Sequence, residues 1–132
     1  DDTGNVVSVE TSATRFALAY ADGKPFGHTN HYSSDWMQPV SVVRPSAVGS
    51  SIARYTALRR FLLQDNLTGE SLKAMTRSHV SYPRSICAHG SPDEPEESRG
   101  ATVAAMVQSL SERTMEICDG CPCEGEYVRL EL

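Results

Sequence analysis

The chain has 132 residues, enough for one domain with a hydrophobic core and short for two. A formal net charge of −5 and a pI near 5.3 argue against nucleic acid or an anionic membrane as the main partner. No apolar run approaches the ~18 residues of a membrane span, and a mean hydropathy of −0.35 with 22% charged residues is ordinary for a soluble globular protein. The start carries no signal-peptide pattern, and opens Asp1-Asp2-Thr3-Gly4 without methionine, which points to a processing or fragment boundary. Cys87 stands alone while Cys118, Cys121 and Cys123 crowd one turn. That is not the spaced framework of a secreted disulfide scaffold, so a reduced, cytoplasmic setting is expected.

In chain order, Val6 to Glu10 is a short β-prone run. Phe16, Leu18 and Tyr20 then alternate with Ala17, Ala19 and Ala21, as a strand with one packed face does. Asp22-Gly23 followed by Pro25 is turn chemistry, and the chain resumes extended from Phe26 into His28-Thr29-Asn30-His31. Residues 33–49, with Pro39, Pro45 and scattered serines, read as an irregular crossing segment. Ser50 or Ser51 is positioned to cap a helix running to about Gln64. Ile52, Tyr55, Leu58, Phe61 and Leu62 share one arc of that helix, and Arg54 falls inside the same arc. Thr68 is predicted to cap a second helix continuing to about His79, with Leu67 and Leu72 as its hydrophobic staple.

The remainder reads as β. Ser85 to Ala88 is a short extended piece, and Gly90 to Glu97, with two prolines and four acids, is a solvated loop. Ala101 to Leu110 and Thr114 to Cys118 form a hairpin turning at Ser111-Glu112-Arg113, and Tyr127 to Leu132 is a closing strand. The expected order is β-β-α-α-β-β-β. This is an α+β single domain over residues 1–132, with two helices on one face of an antiparallel sheet.

Two separated motifs carry a resemblance. His28-Thr29-Asn30-His31 lies after the first hairpin, and Ser85-Ile86-Cys87 is followed beyond the acidic loop by Ser98-Arg99-Gly100-Ala101-Thr102. In this order, with a helical pair between them, they resemble the C-terminal part of the acyl-coenzyme A:6-aminopenicillanic-acid acyltransferase family. Members of that family are N-terminal-nucleophile (Ntn) hydrolases, in which self-cleavage frees an N-terminal cysteine that attacks amide or thioester carbonyls. The resemblance covers the chain from about Val6 to Leu132, but only the latter third or so of a family member. It implies the C-terminal part of an αββα sandwich.

It also implies roles. Asn30 matches the asparagine that polarises the scissile carbonyl, and its amide N–H is suited to a developing oxyanion. Taken alone, an asparagine at such a place forms turns through its own backbone. Ser98, at the mouth of a strand, would orient the site. Arg99 and His31 are weaker candidates for substrate contact, with Arg84 beside them. Arg54, three residues after Ser51 as in the family, would make a structural ion pair with a carboxylate. Cys87 has the default character of a buried, inert thiol, and Ala88 stands where the family motif has arginine. No cysteine here sits at a free N-terminus, so the nucleophile would come from a missing N-terminal half, and the chain alone would be inactive. Failing that half, a homo-oligomer partner would cover the bare sheet face, for which Phe16/Leu18/Tyr20 and Val103/Ala105/Val107 are the candidate sets. No cofactor is expected, and the substrate would be a small amide or acyl-thioester.

A different class of function is a non-catalytic binding or assembly module with structural zinc at Cys118, Cys121 and Cys123. The C-x-x-C-x-C spacing suits zinc or a disulfide, yet it supplies three donors where a closed zinc site needs four, so Cys87 or His89 would have to complete it. A plain Gly/Pro turn accounts for the same residues, and no stoichiometric metal is expected.

Overall fold

The computed structural model describes residues 4–42, 45–96 and 99–132. They fall into two compact units, 1–63 and 64–132.

In the first unit, β1 (Val7–Thr11) pairs antiparallel with β2 (Phe16–Tyr20) in the register Val7↔Tyr20 to Thr11↔Phe16. The connection is tightened at Ser12, whose Oγ accepts the Arg15 N–H at 3.0 Å while its own N–H reaches Arg15 O at 2.8 Å. After β2 the chain turns at Asp22 (φ 49°) and Gly23 (φ +70°), two left-handed residues in succession as the Asp-Gly pair favours. A short 3-10 turn, Gln38–Val40, precedes helix α1 (Pro45–Leu62). The helix begins earlier than the predicted Ser50 or Ser51. Proline at its first position presets φ and has no N–H to orphan, and Ser51 is instead buried inside it. Arg59 and Arg60 in the last turn suit the negative end of the dipole.

Gly27 determines how the segment before the histidine motif meets α1. A Cβ at that position would lie 2.5 Å from Leu58 Cδ2 and 2.9 Å from Leu62 Cδ1, so the backbone rests directly on the helix.

In the second unit, α2 (Gly69–Thr76) is capped as predicted. Thr68 Oγ1 accepts the Ser71 N–H at 3.1 Å, and Ser71 Oγ accepts the Thr68 N–H at 2.8 Å, a reciprocal capping box. The helix ends a turn before His79, with Arg77 as its cap. β3 (Ala104–Ser109), β4 (Thr114–Asp119) and β5 (Val128–Glu131) form an antiparallel sheet in the order β3-β4-β5. The predicted hairpin and closing strand are both present, but the five strands make two sheets rather than one. The chain is thus a small α+β protein. The Ser85–Ala88 piece is a run of bends with no strand partner. Helix and sheet meet through polar groups: Lys73, almost fully buried, reaches Glu116 on β4 at 2.7 Å and Glu70 at 2.5 Å. The Glu116 bond, then the Glu70 bond, holds its pKa above the usual lysine value. Thr76 Oγ1 meets Tyr127 OH at 2.6 Å.

Among the described residues the fully enclosed apolar side chains are few: Met37, Cys87, Cys118 and Pro122. Phe16, Leu18 and Tyr20 remain 66%, 48% and 62% exposed, so the face expected to be left bare in this chain is uncovered. Val103 is also exposed, while Ala105 and Val107 are half-buried. No helix among the described residues is long and apolar enough to cross a membrane.

Removing the cap tests this description of α2. Thr68→Ala should cost about 1 kcal/mol of stability, read as a lowered denaturant midpoint with an unchanged slope.

Candidate functional site

The histidine motif is held in place by one buried carboxylate. Glu10, the fourth residue of β1, is 8% exposed and points its oxygens at the loop that follows β2. Oε1 lies 2.7 Å from His28 Nε2 and also accepts the Ser33 N–H, while Oε2 accepts the Ser34 N–H at 3.1 Å. Burial, the largest single influence, pushes the Glu10 pKa up. The Ser33, His28 and Ser34 bonds together outweigh it and hold the group below the ordinary carboxylate value. Tyr32 adds a second tie to the same strand, its OH donating to Thr11 O at 2.6 Å.

Between those anchors, the loop is fastened to α1. Thr29 Oγ1 donates to Ser51 O at 3.1 Å, Ser51 Oγ sits 2.8 Å from His31 Nδ1, and the same two hydroxyls are 3.1 Å apart. His31 also stacks edge-on against Tyr55, centroids 5.4 Å apart. Arg54, one turn along, places Nη1 2.9 Å from Asn30 Oδ1. Arginine only donates, so this contact assigns the amide oxygen and leaves the Asn30 NH2 free to point elsewhere as a donor. The expected carboxylate partner of Arg54 is thus an amide oxygen in the motif itself, and burial lowers the arginine's pKa. Asn30, His28 and His31 line a cleft of about 510 Å³ with Glu10, Thr11 and Val40.

Ser98 lies outside the described residues. Arg99 is committed to the acidic loop, donating from Nε to Glu94 O at 2.9 Å and from Nη2 to Pro92 O at 3.1 Å. Arg84 pairs with the Glu94 carboxylate.

The three crowded thiols also part company. Cys118 Sγ points at Asp119 O at 3.6 Å, and Cys121 Sγ at Ala88 O at 3.4 Å. Cys123 instead approaches Cys87, Sγ to Sγ 3.5 Å, and His89 Nε2 at 3.3 Å. Burial and then the neighbouring Cys87 raise the Cys123 pKa. The turn that separates them needs two glycines. Gly120 has φ +70°, and a Cβ on Gly125 would lie 2.6 Å from Cys118 Sγ.

Sequence reasoning placed Asn30 and His31 at one locus and noted Arg54 without its partner. It missed Glu10, Ser51 as a tether, and His79. An acid inside a β-prone run, followed by a two-histidine loop, is the signal that marks Glu10. No protein-family model matches the chain, and no curated protein matches it.

The Glu10 anchor has a pH signature. Because its folded pKa is depressed, its contribution is complete above the ordinary carboxylate pKa and is lost as pH falls through the lowered folded value. Thermal unfolding followed from neutral pH down to about pH 3 should show this loss. Glu10→Gln should lower stability at neutral pH and flatten that acid limb.

Proposed function

We propose that this chain supplies the oxyanion-binding part of an Ntn cysteine acyltransferase or amidohydrolase acting on small amide or acyl-thioester substrates. The nucleophilic cysteine comes from polypeptide outside these 132 residues. The observation that carries the reading is the Arg54–Asn30 contact at 2.9 Å. It fixes the carboxamide so that N–H, not C=O, is the end left to meet a substrate, and it does so at the edge of a cleft large enough for a small acyl group.

The chemistry follows from that orientation. A thiolate adding to the substrate carbonyl turns its oxygen into an alkoxide. The tetrahedral intermediate collapses by expelling the amine or thiol, leaving an acyl-thioester on the nucleophile, which water or an acceptor amine resolves. A pre-aimed donor favours the alkoxide over the ground-state carbonyl because it needs no reorganisation as charge develops. Glu10 holds the loop through His28 and two backbone N–H groups, and Thr29 and His31 lock it to α1. In this reading His28 and His31 position the loop and Asn30 acts on the reacting carbonyl. The exposed Phe16, Leu18 and Tyr20 side chains of β2 are apolar area that a further layer of such a sandwich would cover.

In the complete gene product, Asn30→Ala should lower kcat by about 100- to 1000-fold with KM little changed. Arg54→Met should also lower kcat, since the amide is then free to rotate, and should leave a smaller deficit than Asn30→Ala. The 132-residue chain by itself should turn over no activated acyl ester. Near-normal turnover in Asn30→Ala, or an acyl adduct on Cys87 of the isolated chain by intact mass, would overturn the proposal.

A further inference from the structure

A second constellation lies in the C-terminal unit. His79 Nε2 and His89 Nε2 are 3.0 Å apart, Cys87 Sγ is 3.6 Å and Cys123 Sγ 3.3 Å from His89 Nε2, and the two sulfurs are 3.5 Å apart. All four ligating atoms lie within 4.8 Å of one another. Hydrogen bonding does not account for this convergence. One ring nitrogen of His89 faces three other donor-acceptor atoms and has at most one proton to share. A cation at the centre engages all four lone pairs at once.

The spacing and the donor set suit Zn²⁺. With Zn–S near ~2.3 Å and Zn–N near ~2.0–2.1 Å, a tetrahedron has edges of about 3.8 Å between sulfurs, about 3.3 Å between nitrogens and about 3.5 Å between unlike atoms. Four of the six edges, at 3.0–3.6 Å, fall close to those lengths, and the two between His79 and the sulfurs stay within 4.8 Å. Two thiolates with two imidazoles are soft and borderline donors, unsuited to the oxygen-seeking Ca²⁺ or Mg²⁺.

Two further features belong to a metal site. On the other side of the ring, the exposed Glu124 carboxylate lies 3.6 Å from His89 Nδ1, beyond hydrogen-bond distance but on the side where an acid partner of a metal-bound histidine would sit. The ligands are also positioned by bonds that use none of their ligating atoms. Cys87 N–H donates to Ser78 O at 3.0 Å, Thr102 exchanges bonds with Ala88, and Arg77 Nε donates to Pro122 O at 2.8 Å.

We propose that His79, Cys87, His89 and Cys123 form a Cys₂His₂ site for Zn²⁺. With four protein donors the site is closed, and the metal's role is structural: it joins the 79–89 segment to the turn that follows β4. Binding converts two thiols to thiolates, so each Zn²⁺ taken up releases two protons. The sequence led to the expectation of no stoichiometric metal, with a three-cysteine site as the alternative; the proposed site uses only Cys123 of those three and joins it to Cys87, His89 and His79.

The test uses the 132-residue chain, reduced and stripped with a chelator, then titrated with Zn²⁺ and, as a spectroscopic probe, Co²⁺. One equivalent of Zn²⁺ should bind. Co²⁺ should develop intense tetrahedral d–d bands with thiolate charge transfer, abolished by one equivalent of Zn²⁺. Cys123→Ser and His79→Ala should weaken Zn²⁺ binding by more than the roughly 10- to 100-fold typical of losing an outer partner, and Glu124→Gln should fall within that range. Cys121→Ser, which removes a thiol outside the cluster, should keep stoichiometry and spectrum, so a general failure to fold is recognised. The proposal is overturned if the reduced chain binds no metal, if Cys123→Ser binds as tightly as the parent, or if Cys121→Ser abolishes the Co²⁺ bands while remaining folded by circular dichroism.

Discussion

A single buried carboxylate organises the N-terminal unit. Glu10 sits on the shortest of sheets, two strands joined by a tight connection, yet three separate donors converge on it from the loop beyond β2. A carboxylate withdrawn from water is unfavourable unless it is fully bonded, and here the bonds are what shape the loop. With His28 and the 33–34 backbone pinned, the residues between them have little freedom, and Asn30 and His31 are left projecting toward α1. The hydroxyl of Ser51 and the guanidinium of Arg54 then select one side-chain orientation each. The site is thus built by polar satisfaction on a small scaffold, not by enclosure in a large apolar core.

The C-terminal unit is assembled by the same kind of economy. Lys73 lies against two carboxylates, and the helix and sheet share the Thr76–Tyr127 bond. With so few fully enclosed apolar side chains, a cross-link between the 79–89 segment and the turn after β4 has unusual leverage on stability. In small domains a bound metal takes over much of what a larger core would do.

The sequence made the elements legible wherever local chemistry dominates. The Thr68 cap, the Asp22-Gly23 turn, the β3–β4 hairpin and the closing strand are set by residues adjacent in the chain, and all appear near where periodicity and turn residues placed them, with β3 beginning at Ala104 and not at Ala101. The start of α1 was displaced because a serine looked like a cap, whereas Pro45 begins the helix and Ser51 serves a tertiary bond. Whether five strands make one sheet or two is decided by contacts distant in sequence, which alternation does not encode. The sites divide in the same way. Asn30 stood out through its motif, but Glu10 and Arg54 acquire meaning only from partners 18 and 24 residues away. The cysteine turn was visible as a cluster, and the fold drew one thiol from it toward histidines that spacing could not connect.

The missing side chain of Gly27 ties its history to that of two leucines. Because a Cβ there would overlap Leu58 and Leu62, positions 27, 58 and 62 cannot drift independently. A relative with alanine or serine in front of its histidine motif should carry a smaller residue on the facing turn of the helix. Among diverged sequences these positions should therefore vary together, and that covariation would mark the loop-to-helix contact even where the histidine motif itself has been lost.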